Sequence, residues 1–280
     1  MNIIEPHIHT FSRTTDEYQA MHKAGIRVCV EPSFWLGSNR RYAGSFFDYF
    51  RLILEFETVR AARFGIDHFS AVAMNPKEAD DRVLADEVID GLPPYLDHPR
   101  CVAMGEIGLN LITPNEEHAL VRQLQIAEER KMPVVLHLPH TDKLRGALRI
   151  IDIIKAGGFT PGRIDLDHNT EETIKYSLDS GCYAGMTVYP YSKLDPSRVS
   201  AMIKQYGHQR VIVNGSADWG VSDPLSLVKV VDFMRRDGHS EAVIEDLVFN
   251  TAMRFYSASP NWKPDFSIQP VDPATYQRQP

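Results

Sequence analysis

The chain has 280 residues, of which 43% are hydrophobic and 24% are charged, and its formal net charge is −7. This composition is typical of an ordinary globular protein and excludes collagen-like, disordered and disulfide-scaffold classes. The acidic balance gives no overall basic surface for a phosphate backbone, so it disfavours a nucleic-acid partner. The length fits either two small domains or one (β/α)8 barrel of about 250 residues.

The sequence predicts neither a membrane segment nor a disulfide framework. Residues 1–5 contain no basic stretch followed by an apolar run, and no apolar run reaches the roughly 18 residues of a membrane span. Cys29, Cys101 and Cys182 each lie in or beside an apolar run, which predicts buried thiols. We therefore expect a cytoplasmic protein.

Short apolar runs typical of β-strands alternate with longer amphipathic stretches along the chain. Eight strands are predicted, over residues 3–10, 27–32, 68–74, 101–107, 133–138, 163–169, 182–189 and 210–214. Between them, apolar residues at helical spacing predict helices over residues 46–64, 116–131, 143–155 and 225–236. This alternation is typical of repeated βα units around a parallel sheet.

The spacing of polar residues at strand ends supports the βα repeat. Glu106, His137 and His168 each end an apolar strand at intervals of 31 residues, and one βα unit takes about 30 residues. Eight such units predict the α/β class and a single-domain (β/α)8 TIM barrel over residues 1–257. An open doubly wound sheet is the alternative, but no G-x-G-x-x-G motif follows the first strand.

Residues 258–280 form a proline-rich tail, with prolines at positions 260, 264, 270, 273 and 280. This composition predicts an extended chain. Trp262 and Phe266 are expected to hold the tail against the barrel or against a neighbouring subunit. Packing on its own barrel is the simpler of the two arrangements.

Imidazoles and carboxylates stand where the predicted strands end. They come from strands one, four, five, six and eight: His7, His9, Glu106, His137, His168 and Asp218. Each alone has an ordinary structural explanation, such as a hydrogen-bonded core histidine or a helix-capping acid. Together they face one end of a barrel, where TIM-barrel enzymes carry their active sites. Nitrogen and oxygen ligands of this kind suit two divalent cations with a carboxylate bridge.

Ordered motifs then resemble a known family. The sequences E-P-H-I-H at residues 5–9, G-E-I-G-L at 105–109, P-V-V-L-H at 133–137 and N-T-A-M-R-F at 250–255 are similar to motifs of the TatD-like metal-dependent hydrolases of the amidohydrolase superfamily. His168 and Asp218 stand where that family has its later histidine and terminal aspartate. The resemblance covers residues 3–257 and implies a metal-dependent hydrolase.

The resemblance also implies roles for individual residues. One cation would be held by His7, His9, Glu106 and Asp218, and the second by Glu106, His137 and His168. Glu106 would bridge the two cations. Asp218 and Glu106 are the predicted catalytic residues, because Asp218 would carry the proton of a metal-activated water to the leaving group. Zinc is the expected ion, and Mn, Fe and Mg suit the same ligands.

Departures from the family pattern bear on the substrate. The family's nucleases carry arginine two residues after the strand-five histidine, where this chain has Pro139, and a threonine before the last aspartate, where it has Ala217. They also show H-C-F-S-G after strand six, where this chain has H-N-T-E at residues 168–171, and aspartate at the position of Glu5. These changes favour a small amide, lactone or ester. The residues predicted to contact it are Trp35, His140, Asn169 and Trp219.

Two other functions remain open at this stage. One is a TatD-type deoxyribonuclease or phosphodiesterase. The other is a non-catalytic metal-binding protein of a pathway, against which the retained Asp218 argues. The histidinol-phosphatase-like PHP fold also opens with His-x-His but closes with Asp-x-His, whereas Gly220 stands at that last position here. A homo-oligomer is compatible with the sequence, which does not determine the oligomeric state.

Overall fold

Eight parallel strands form the centre of the structure, a computed structural model that describes residues 1–272. Each strand pairs with the next along the chain. The strands are β1 (Ile3–Glu5), β2 (Ile26–Pro32), β3 (Asp67–Val72), β4 (Cys101–Gly108), β5 (Val134–His137), β6 (Ile164–Asp167), β7 (Tyr183–Thr187) and β8 (Val211–Asn214).

Helices alternate with the strands. They are α1 (Thr15–Lys23), α2 (Ala43–Arg51), α3 (Glu57–Ala62), α4 (Arg82–Asp90), α5 (Pro93–Leu96), α6 (Pro114–Arg130), α7 (Lys143–Gly157), α8 (Ile174–Asp179), α9 (Pro196–Tyr206), α10 (Ser226–Arg236), α11 (Glu241–Glu245) and α12 (Thr251–Tyr256). The π-helical segments Leu52–Phe56 and Asp246–Asn250 join α2 to α3 and α11 to α12. This architecture confirms the predicted single-domain (β/α)8 TIM barrel.

Hydrogen bonds just beyond the strands bring β8 to β1 and complete the barrel. The backbone N–H of Gly215 donates to the Glu5 carboxylate at 3.0 Å. Ser216 N–H then donates to the carbonyl of His7 at 2.8 Å, and His9 N–H donates to the carbonyl of Ala217 at 2.9 Å. The two ends of the sheet therefore meet at the edge of the barrel where His7 and His9 lie.

Five strands end earlier than predicted, and two of them, β1 and β6, do so next to site histidines. β1 ends at Glu5 because Pro6 has no N–H to donate to a ladder, and the N–H of His7 donates to the Glu5 side chain. β6 ends at Asp167, whose carboxylate accepts the N–H of His168, and His168 itself takes a left-handed φ of 68°. Both histidines therefore lie just after their strands and not within them.

The C-terminal segment packs on the barrel as far as the structure describes it. The Trp262 ring lies 4.8 Å from Phe69 and 5.0 Å from Tyr256, centroid to centroid. The N–H of Asp265 donates to Asp67 at 2.8 Å. The end of the tail, residues 273–280, lies outside the described residues, and a boundary at residue 257 stays a prediction.

The thiols of Cys29, Cys101 and Cys182 are buried and free, as predicted. Within residues 1–272, no helix combines the length and the apolar character needed to cross a membrane.

Candidate metal centre

His7 and His9 direct one nitrogen each at the same point. His7 Nδ1 lies 2.6 Å from Asp167 Oδ2, and His9 Nδ1 lies 3.1 Å from the carbonyl oxygen of Pro32. Both partners are acceptors, which places a proton on each Nδ1 and leaves each Nε2 with a bare lone pair. The two Nε2 atoms are only 3.2 Å apart. Facing lone pairs repel each other, and a cation that accepts both would remove the repulsion.

Glu106 places one oxygen among three imidazoles. Its Oε1 lies 3.3 Å from His7 Nε2, 3.3 Å from His168 Nε2 and 3.6 Å from His137 Nδ1. Within residues 1–272, ligand atoms of His7, Glu106 and His168 lie within 4.8 Å of one another. A carboxylate oxygen at the centre of several imidazoles is the arrangement expected of a ligand shared between cations.

Local backbone geometry aims Glu106 into the barrel mouth. The pairing of β4 with β5 shifts register between Gly105 and Ile107, so Glu106 is the extra residue of a bulge. Gly108 has a φ of 144°, and a Cβ there would lie 2.3 Å from the carbonyl oxygen of His137. Only glycine allows the two strand ends to approach so closely. In the motif G-E-I-G, Gly108 is therefore required for steric reasons, and Glu106 supplies the chemical group.

The charge states of these residues suit metal binding. Burial lowers the pKa of His9, His137 and His168 and keeps the imidazoles neutral, the form that ligates. For Glu106, burial opposes ionisation, but its interactions with the neighbouring imidazoles of His7, His137 and His168 hold its pKa well below the usual value. His137 Nε2 is buried without a hydrogen-bond partner within residues 1–272. The donor set therefore fits divalent cations.

Asp167 is a functional residue that the sequence analysis missed. Its carboxylate accepts hydrogen bonds from His7 at 2.6 Å, Thr187 at 3.2 Å, Asn214 at 2.9 Å and the N–H of His168 at 2.6 Å. Burial would raise its pKa, but the neighbouring His168 and the hydrogen bond from His7 lower it. A carboxylate behind a ligating histidine fixes the ring and its tautomer. The available signal was an acid at the end of an apolar strand, directly before His168.

His168 is oriented by the same network. Thr187 donates its hydroxyl proton to Asp167, so its oxygen accepts from His168 Nδ1, which lies 2.6 Å away. His168 Nδ1 therefore carries the proton, and its Nε2 is free to face Glu106.

Asp218 stands in the wall of the same cavity but outside the cluster of ligand atoms. Its Oδ1 accepts from the Tyr189 hydroxyl and from the N–H of Gly220, both at 2.8 Å. The Arg13 guanidinium donates to its carbonyl oxygen. Within residues 1–272, Asp218 Oδ2 has no hydrogen bond, so that oxygen is available for a ligand or a proton. Tyr189 is a second residue that the sequence analysis missed.

The predicted substrate residues divide into two groups. Trp35, His140 and Trp219 line a cavity, partly open to solvent, that also contains Glu106 and Asp218. The two tryptophan rings meet edge to face at 5.8 Å.

Asn169 lines an adjoining cavity, which it shares with His140, His168 and Lys193, and not this one. Its side-chain amide donates to the carbonyls of Leu166 and Gly185, and its oxygen accepts from Ser177 at 2.7 Å. These bonds use both ends of the amide within the protein, so Asn169 holds the β6 and β7 ends together.

Other residues of the cavity wall carry no sequence motif that would have identified them. They are Asn75, Lys77, Lys193 and Ser216, on the loops that follow β3, β7 and β8. Asn75 donates to Glu106 Oε2 at 3.3 Å. The only available signal was their position shortly after a strand end.

Comparisons with known proteins place this site in context. A family model described as TatD related DNase matches residues 4–214. The chain is similar to an uncharacterized metal-dependent hydrolase from Methanocaldococcus jannaschii, at 26% identity over 259 residues, with 91% of this chain and 99% of that protein covered.

Solved structures share the fold. A TatD-like protein from Archaeoglobus fulgidus superposes with a TM-score of 0.74 at 23% identity, covering 91% of this chain and 99% of that one. The phosphotriesterase homology protein from Escherichia coli, complexed with phosphate in its active site, has a TM-score of 0.63 at 16% identity, with 91% and 98% covered. A lactonase from Listeria monocytogenes has a TM-score of 0.64 at 13% identity, with 91% and 94% covered. Because the family model spans most of the barrel, the chain belongs to the TatD-related DNase family and is a metal-dependent hydrolase.

Proposed function

We propose that this protein hydrolyses a small organic substrate, an amide, lactone or ester, at a binuclear metal centre. The observation that carries the proposal is the pair of Nε2 atoms of His7 and His9, which lie 3.2 Å apart. Beside them lies a Glu106 oxygen that also faces the imidazoles of His137 and His168. His7, His9, Glu106 and Asp218 would hold one cation, and Glu106, His137 and His168 the other. Zinc is the expected ion, and Mn, Fe or Mg would suit the same donors.

Asp218 is the proposed proton carrier. Divalent cations held at this site would lower the pKa of a water molecule and polarise the bond to be cleaved. Asp218 would accept the water's proton and return it to the leaving group. Tyr189 and Gly220 would hold Oδ1 in place meanwhile.

The lining of the cavity supports a small organic substrate. Its wall combines the polar side chains of Glu106 and His168 with two tryptophan rings, the mixture of polar and aromatic groups typical of small-molecule sites. Trp35 and Trp219 stand at its mouth and offer an apolar surface for an organic group. Pro139 stands where the family's nucleases carry a phosphate-binding arginine.

A substrate panel tests this proposal. Metal-loaded protein would be assayed on aryl esters, lactones, anilides, bis(p-nitrophenyl) phosphate and plasmid DNA. We expect turnover of at least one carbonyl class to exceed that of both phosphodiesters in kcat/KM. Cleavage of the phosphodiesters alone would overturn the assignment of substrate class.

Phosphodiester hydrolysis is the second candidate, and the family model described as TatD related DNase favours it. It predicts DNA binding that weakens steeply with added salt. The plasmid arm of the panel, repeated at two salt concentrations, distinguishes it from the first candidate.

A further inference from the structure

Three lysines from different segments of the barrel lie near the candidate metal centre. Lys77 and Lys193 line the cavity that contains Glu106. Lys143 and Lys193 line an adjoining cavity. Both cavities include His140 and His168, so Lys193 lies between them. Three separate segments of the barrel therefore bring positive charge to one place.

These lysines lack the partners that other lysines of the chain have. Lys175, Lys204 and Lys229 each form an ion pair with an aspartate. Within residues 1–272, no carboxylate oxygen lies within 4.0 Å of the Nζ of any of the three lysines around the site. The Nζ of Lys77 lies 4.5 Å over the Trp35 ring, and that of Lys143 donates to the carbonyl of His168 at 3.0 Å.

The contacts of Lys193 leave its ammonium group poorly satisfied. Its Nζ lies 3.2 Å from His168 Nδ1 and 3.5 Å from the Ser216 hydroxyl. His168 Nδ1 already donates to Thr187, so it has no lone pair to offer Lys193. Within residues 1–272, the long contact to Ser216 and the Tyr189 ring, whose centroid lies 5.4 Å from Nζ, remain for a half-buried group with three protons to donate.

Mutual repulsion adds to this imbalance. Lys193 is attracted by the carboxylates of Asp167, Glu106 and Asp218, but it is repelled by Lys77 and itself repels Lys143. Divalent cations at the histidine cluster would add further positive charge next to them. An anion that enters the cavity would supply the missing acceptor and screen the repulsion at once.

We propose that Lys193, flanked by Lys77 and Lys143, binds an anionic group of the substrate, a carboxylate or phosphate apart from the bond that is cleaved. This inference rests on the proposed function and narrows its substrate class to anionic molecules. The anionic group would lie on the Lys193 side of the cavity, and the tryptophan pair would pack against the rest of the molecule.

Matched ester substrates test the proposal on the metal-loaded enzyme. The probes are p-nitrophenyl acetate, which is neutral, and mono-p-nitrophenyl succinate, which carries a carboxylate. We expect wild type to prefer the succinate, and Lys193→Met to reduce the ratio of their kcat/KM values by at least about tenfold, the value of one charge-assisted hydrogen bond. Lys193→Arg should restore part of the preference.

Lys175→Met is the matched control, because Lys175 is an exposed lysine paired with Asp179 on α8. It should leave the ratio unchanged. An equal loss on both esters in Lys193→Met, at an unchanged melting temperature, would overturn the proposal. So would a wild-type enzyme that prefers the neutral ester.

Calorimetry separates this inference from the proposed function. Succinate and inorganic phosphate would be titrated into metal-loaded wild type and into Lys193→Met. Weaker binding of either anion by the variant supports the lysine site even if wild type cleaves no ester. The anion whose affinity falls more indicates whether the site binds a carboxylate or a phosphate. Equal affinities in the two proteins would overturn the lysine site while leaving the hydrolase assignment intact.

Discussion

The floor and the rim of the cavity are built in different ways. The floor consists of His7, His9, Glu106, His137 and His168, none more than 7% exposed. The rim consists of Trp35, Lys77, Lys193 and Trp219, on loops, with Trp219 52% exposed. The floor is fixed by strand ends and a hydrogen-bond network, whereas the rim depends on loops that tolerate change. Under the proposed function, reaction chemistry and substrate choice would therefore be carried by separate parts of the molecule.

The largest expected effect comes from changing the centre of the floor. Glu106→Gln removes the charge that faces three imidazoles. We expect loss of bound metal and a fall in kcat/KM of at least about a thousandfold, because the cations supply several kcal/mol of catalysis. Elemental analysis and the ester assay measure both quantities. A variant that keeps full metal content and turnover would remove Glu106 from the centre.

Asp218 lies between the two regions, and its substitution tests the proton-carrying role. Asp218→Asn keeps the shape and the bond from Tyr189 but cannot accept a proton as a carboxylate does. We expect kcat to fall about 100- to 10,000-fold, with metal largely retained. A near-normal kcat in this variant would contradict the assignment of Asp218 as the proton carrier.

The network behind the floor should control metal affinity. Asp167→Asn weakens the bond that orients His7, and we expect metal affinity to fall about 10- to 100-fold. Competition with a chelator of known affinity measures the change. Asp165→Asn is the control, since Asp165 is a buried acid on the same strand without a bond to a ligating histidine. Equal effects of the two variants would argue against a specific role for Asp167.

The smallest expected effect is at the rim. Trp219→Ala removes an exposed ring from the mouth of the cavity, so KM should rise up to about tenfold while kcat changes little. Steady-state kinetics on the best substrate of the panel measures both. A loss confined to kcat would show that the rim takes part in the chemistry and would break the separation of floor from rim.

The barrel and its floor were predictable because both repeat along the chain. Each βα unit adds one strand end to the same edge, so Glu106, His137 and His168 appear at equal intervals in the sequence. The glycines around Glu106 mark the close approach of β4 to β5. Local sequence therefore contained the information that fixes these positions.

The remaining contacts depend on residues far apart in sequence. Asp167 holds His7 across a separation of 160 residues, and no local pattern reports that partnership. Asn169 follows His168 directly, yet its amide turns back to the backbone. Lys193 lies at the site because of the path that the loop after β7 takes, and sequence periodicity does not predict the path of a loop.

The metal content of the purified protein tests the central claim most directly. Wild type reconstituted with zinc and freed of excess ion should hold two ions per chain by elemental analysis, and Glu106→Gln should hold fewer. A wild-type protein that binds no divalent cation under these conditions would contradict the account, because the facing nitrogens of His7 and His9 would then have no cation to bind.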